Sequence, residues 1–155
     1  MIEPGAWLSD AEADDRRWWQ EHYGRSHDPT GLVSESNVLR YRPLPAVGLR
    51  VDRGTPTEHV ERVRSAARRC GVPLVESWQA EETNDQFAVR LESLDVVRVR
   101  MLGRVGEAVR EVANRRNIHL VDDPVTTSGR VELRHYLREQ AVSETLHRFG
   151  NLVRR

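Results

Sequence analysis

The stretch Val47-Gly48-Leu49-Arg50-Val51-Asp52-Arg53-Gly54-Thr55-Pro56-Thr57-Glu58 passes from a short apolar run through a glycine turn to a helix start. Thr55 stands as an N-cap, Pro56 as the first helical residue and Glu58 as the reciprocal acid of a capping box. In the helix that follows, Val60, Val63, Ala67 and Cys70 share one face, and Gly71 stops it. The same alternation then repeats. Residues 72–76 read as a strand, Thr83 opens a second helix with Phe87, Leu91 and Leu94 inward, and residues 96–102 read as a third strand. Val105, Ala108, Val109, Val112 and Ala113 keep the i, i+3, i+4, i+7, i+8 spacing of a third helix, before a strand at 118–121. Strands alternating with helices of this length imply parallel strands joined by right-handed crossovers. The fold class expected is therefore α/β, a Rossmann-like open parallel sheet of about four to five strands with helices on both faces.

Upstream, Ser9 and Glu12 fit a capping box, Ala11, Trp18 and His22 fall near one face, and Gly24 closes the segment. Residues 1–26 are thus expected to form an appended N-terminal helix, with the domain proper at 27–155. Asp28-Pro29-Thr30-Gly31 is a turn sequence, and residues 38–42 lead as a strand into the first βαβ unit. Downstream, residues 131–138 suit one helix. Beyond Glu139 the alternation of side chains favours an extended C-terminal β-flap over residues 139–155. Leu146 and Phe149 would gain little by lying free in water, so the flap is expected to pair with a sheet edge in another subunit or domain.

With 155 residues the chain suffices for one domain core. The 24 basic residues are all arginine, and 24 acidic residues cancel them. Zero net charge and the lack of an aromatic ladder argue against nucleic acid as a partner. With no lysine there is no Schiff-base amine and no P-loop lysine. Cys70 is the single cysteine, so neither an intrachain disulfide nor a cysteine metal cluster can form. Its place on the apolar face near a helix C-terminus suits a buried structural thiol rather than a nucleophile. The histidine spacings match no metal-ligand motif. No apolar run is long enough to span a membrane and no signal-peptide pattern is present, so a cytoplasmic location is expected.

Gly103-Arg104-Val105-Gly106 lies where a strand turns into a helix, a place where backbone N–H groups can meet a phosphate. Gly103 and Gly106 are the candidate cofactor-contacting residues. The full dinucleotide signature GxGxxG is absent, and structural use of these glycines outweighs cofactor binding.

Two further segments carry a resemblance. Asp28 to Val51, with Pro29-Thr30-Gly31, Glu35, Asn37, Leu39-Arg40 and Pro43, resembles the entry to the nucleotide-binding domain of aldehyde dehydrogenases of proline catabolism. The close of the chain, with Gly129-Arg130-Val131-Glu132-Leu133, Glu139, Val142-Ser143, Thr145 and Gly150-Asn151, resembles the C-terminal motif of the proline utilization A family, of actinobacterial type. Those bifunctional flavoenzymes join proline dehydrogenase to L-glutamate γ-semialdehyde dehydrogenase, and longer members carry an extra aldehyde-dehydrogenase-like C-terminal domain. The resemblance implies a degenerate, non-catalytic domain acting in assembly, or in covering the channel between the active sites. It implies no cofactor in this chain, NAD and FAD belonging to the parent enzyme's catalytic domains. It implies as partners the proline dehydrogenase and semialdehyde dehydrogenase domains, or a second copy, and as partner-binding residues Glu139, Ser143, Thr145, Leu146, Phe149, Gly150 and Asn151. The sequence departs from an active member in having Asp52-Arg53-Gly54-Thr55-Pro56 after the strand 47–51, in place of an asparagine-bearing Pro-Trp-Asn-Phe-Pro segment, and in lacking the catalytic domain. The readings of other class are a generic interaction module on the same fold and a remnant that binds NAD weakly.

Overall fold

The computed structural model describes residues 4–148 and 151–152. A parallel four-stranded sheet has strand order β3-β2-β4-β5, built from β2 (Val47–Val51), β3 (Leu74–Trp78), β4 (Arg98–Leu102) and β5 (His119–Val121). The connecting helices are α2 (Thr57–Cys70), α3 (Asn84–Leu91) and α4 (Glu107–Arg116). Side-chain alternation along the central strands divides the core in two. Val47, Leu49, Val51 and Leu102 pack with Val60, Val63 and Ala67 of α2. Val99 and Met101 pack with Phe87, Leu91, Val109 and Val112 of α3 and α4 on the opposite face. This is the expected Rossmann-like α/β arrangement with helices on both faces.

Strands β3 and β5 begin later than the apolar runs suggest, for one shared reason. Helix α2 ends in Gly71 with φ of 69°, and Val72 donates its N–H to the Ala67 carbonyl. Helix α4 ends in Asn117 with φ of 55°, and Ile118 donates to Ala113. In both, the apolar residue after the left-handed cap belongs to the helix stop and anchors it in the core. Thr83 does open α3 with a reciprocal capping box to Gln86. Thr55 does not cap α2, whose N-cap is Pro56.

Helix α1 (Pro4–Trp18) starts before Ser9, so Ser9 and Glu12 lie inside it and form no capping box at its start. The helix widens into a π-helical turn at Trp19–Tyr23, closed by the Gly24 N–H on the Trp19 carbonyl. Its attachment is electrostatic as well as apolar. Asp15 accepts both terminal nitrogens of Arg62, at 2.7 and 2.8 Å, with both residues essentially sealed from solvent. The Nε of Arg62 donates to the Thr126 carbonyl, so one guanidinium joins α1, α2 and the loop after β5.

Residues 131–138 do not form one helix. A single α-turn, α5 (Gly129–Glu132), passes into a 3₁₀ turn, Leu133–Tyr136, and strand β6 (Leu137–Thr145) begins immediately after it. Arg98 explains the break, because its Nη1 donates to the carbonyls of Arg134, His135 and Leu137 and draws them out of helical register. Glu132 meanwhile accepts from Arg100 and from the Tyr136 hydroxyl inside the core. Gly129 is required where α5 crosses α1, since a Cβ there would come within 2.9 Å of the Asp14 and Asp15 backbone. Its N–H donates to the Asp14 carboxylate at 2.7 Å.

Strand β1 (Glu35–Pro43) does not join the parallel sheet. It pairs antiparallel with β6 along all nine residues, from Glu35 opposite Thr145 to Pro43 opposite Leu137. The segment expected to seek a foreign sheet edge thus has a partner within its own chain. A short β7 (His147–Arg148) and β8 (Asn151–Leu152) pair beyond the ribbon.

Removing one side of a buried ion pair strands a charge. Asp15→Ala is expected to lower unfolding stability by about 3–5 kcal/mol in urea denaturation, whereas the doubly apolar Asp15→Leu/Arg62→Met should lose clearly less.

Candidate functional site

In a sheet of order β3-β2-β4-β5 the connections leave β2 and β4 toward opposite faces. The crevice outside the carboxyl ends of these two strands is where open α/β folds bind ligands. Here it has a volume of about 430 Å3, and its lining includes Asp52, Thr55, His59, Gly103, Arg104 and Asp123. Both walls are bonded to each other. Asp52 donates its N–H to the Leu102 carbonyl at 2.9 Å, and the Thr55 hydroxyl reaches the carbonyls of both Asp52 and Leu102. The Asp52 carboxylate accepts the backbone N–H of Arg104 at 2.8 Å. That N–H lies in the loop between β4 and α4, so an internal carboxylate sits where a dinucleotide would need a free donor.

Gly103 has φ of 137°, and a Cβ there would lie 2.2 Å from the Asp52 carboxylate. Its glycine is explained by the approach of Asp52. A Cβ on Gly106 would meet the Asn84 amide at 2.8 Å, and Asn84 accepts from the buried Arg50. The two candidate glycines therefore meet side chains of their own chain. Asp52, read in the sequence only as part of the segment after the strand 47–51, is signalled as a site residue by its position directly after a central strand.

Cys70 is buried, its Sγ lies 3.6 Å from the Leu133 carbonyl, and burial pushes its pKa up to about 12. That is the environment of a structural thiol. Among the described residues no group of three or more His, Cys, Asp or Glu side chains could hold a metal ion. No helix among them is long and apolar enough to cross a membrane.

The second candidate region is the β1–β6 ribbon. From Arg138 to Thr145 every residue of β6 is exposed. Its root is held by packing: Tyr41 stacks edge-on against Tyr23 at 4.9 Å and hydrogen-bonds the His22 ring at 3.1 Å. Burial, helped by the neighbouring His27, lowers the His22 pKa. Next to the root, burial likewise brings the His135 pKa down to about 4. The far end of the ribbon is tied by Asp28. Its carboxylate accepts from the N–H groups of Thr30, Gly31 and Asn37, and these bonds lower its pKa. The Pro29-Thr30-Gly31 turn and Asn37 thus form one joint at the start of β1.

The structure spreads the partner-binding candidates along the ribbon. Glu139 lies opposite Tyr41, Ser143 opposite Asn37 and Thr145 opposite Glu35. Leu146 donates its N–H to the Ser34 carbonyl. Asn151 is placed by its backbone in β8, and Phe149 and Gly150 lie outside the described residues.

Fold and sites together define a Rossmann-like α/β domain with a switch-point crevice whose loop N–H is taken by Asp52 and with a projecting antiparallel ribbon. Among solved structures it is similar to proline utilization A from Corynebacterium freiburgense, with a TM-score of 0.79 and 34% identity over 98% of this chain. The match spans 15% of that protein's length, so this is a proline-utilization-A-like domain comparable to a small part of that protein. No protein-family model matches the chain, and no curated protein matches it.

Gly103→Ala should lower stability by about 1–3 kcal/mol, through the left-handed backbone and the contact with Asp52. Adding Asp52→Gly should restore part of the melting temperature, the backbone strain remaining. Calorimetric melts of the two variants check this.

Proposed function

We propose that this chain is a non-catalytic assembly domain of a bifunctional proline-oxidising enzyme, and that its ribbon docks on the dehydrogenase portions of that enzyme. The observation that carries this reading is the contrast between its two candidate regions. In the crevice that would take a nucleotide, Asp52 already accepts the Arg104 N–H and Thr55 ties the two walls together. The ribbon, in contrast, exposes almost all of β6. An isolated two-stranded ribbon is marginal in water, so its projection is best accounted for by a surface that receives it. The outer edge of β6, opposite its pairing with β1, can add to a sheet edge, where backbone hydrogen bonds supply affinity.

In this reading the ribbon covers the path of the intermediate between the proline dehydrogenase and semialdehyde dehydrogenase sites, or joins two copies of the enzyme. Substrate oxidation, FAD and NAD stay with the catalytic domains, and the assembly is cytoplasmic. A second reading, a weak NAD-binding remnant, is favoured by the remaining crevice volume, and it requires Asp52 to release the Arg104 N–H.

Deleting residues 139–155 should leave a folded parallel sheet by circular dichroism and abolish co-purification with the proline dehydrogenase and semialdehyde dehydrogenase partners. Retained co-purification, with the same oligomeric state by light scattering, would contradict the reading.

A further inference from the structure

The register of the ribbon sets an uneven distribution of charge on its two faces. One face carries Tyr41 and Leu137 toward the body of the domain, with Glu139 and Glu35 on the same face. The other carries the opposed pairs Ser36 with Glu144, Val38 with Val142, Arg40 with Gln140, and Arg42 with Arg138, so its root end is cationic and its far end bears a carboxylate. Two arginines directly opposite each other on one face are unfavourable for an isolated ribbon. The Gln140 amide oxygen accepts from Arg40 Nε at 2.8 Å and from Arg42 Nε at 3.4 Å, and no carboxylate joins them. Arg62, Arg64, Arg90 and Arg100 each have a carboxylate of the same chain. Arg25, Arg40, Arg42 and Arg138 are among the described arginines without such a pair, and they are distinguished by lying together at the ribbon root.

Three of these four arginines converge. Arg25, Arg40 and Arg42 line a groove of about 310 Å3 beside the ribbon root, with Trp19 and Tyr41 as its aromatic wall. Planar guanidiniums beside aromatic rings suit bidentate recognition of carboxylates.

We propose that the ribbon root is a docking surface for an acidic segment of the partner dehydrogenase, its carboxylates taken up by Arg25, Arg40, Arg42 and Arg138. This rests on the assembly role proposed above and names the chemistry of its interface. Charge complementarity selects the occupant: the cationic patch is a few side chains wide, with Glu144 farther along the same face and Glu139 and Glu35 on the other, so a long polyanion would be repelled. A short run of aspartates and glutamates fits, and a nucleic-acid backbone does not. The repulsion between Arg42 and Arg138, carried by the free chain, is relieved on docking.

The test uses the full chain with hexa-L-glutamate as probe, followed by calorimetry at two salt concentrations, and then co-purification with the partner dehydrogenases. The wild-type chain should bind the peptide with an affinity that falls as salt rises. The Arg40→Gln/Arg42→Gln/Arg138→Gln variant should bind at least about tenfold more weakly. Arg138→Gln alone should leave the melting temperature of the free chain unchanged or higher, since it removes a like-charge pair. Equal peptide binding by wild type and the triple variant, or tighter binding of a short DNA duplex than of the peptide through the same arginines, would overturn the proposal. If the triple variant co-purifies as tightly as wild type while deletion of residues 139–155 abolishes association, the carboxylate surface fails and the assembly role stands. If the deletion itself leaves association intact, the assembly role fails.

Discussion

The rest of the structure depends on one fully buried guanidinium–carboxylate contact, that of Arg62 with Asp15. Neither charge can be left alone in the interior without a penalty of several kcal/mol. α1 and α2 are therefore expected to stay together or open together. The third bond of Arg62, to the Thr126 carbonyl, extends the constraint to the loop after β5. From there the chain enters α5, whose Gly129 presses on the α1 backbone and whose Glu132 meets Arg100 in the core. A second sealed pair thus holds the segment that feeds the ribbon. In a chain without lysine these tasks fall to arginine, whose planar fork can satisfy several acceptors at once.

This explains why the sequence suggested a boundary after residue 26 and why the helix is nonetheless built into the fold. Periodicity reports which residues are apolar, and Ala11 is indeed buried. It cannot report that an acidic residue 47 positions away from an arginine will be its sealed partner. The parallel sheet and its three helices were legible because each follows from a local pattern of apolar spacing, caps and glycine stops. The strand at 38–42 was legible too. Its partner was not, since β1 and β6 lie some hundred residues apart, and only the tertiary fold brings Arg40 opposite Gln140. The break after Glu132 was hidden for the same reason: Arg98, from β4, ends that helix.

The candidate sites divide in a similar way. Gly103 and Gly106 were visible as glycines in a strand-to-helix turn, and it took the neighbouring Asp52 and Asn84 side chains to show what they accommodate. The N–H of this turn already has an acceptor in Asp52. The Asp28 turn shows the reverse case. Its residues carry the family resemblance, and their bonds explain it: one carboxylate gathers the N–H groups of Thr30, Gly31 and Asn37 to launch β1.

Native-state hydrogen exchange tests this account most directly. If the buried arginine pairs make α1, α5 and the ribbon root one unit with the sheet, the amides of α1 should exchange with the same opening free energy as those of β2 and β4. Exchange of α1 through a separate opening, several kcal/mol below the global unfolding free energy, would contradict it.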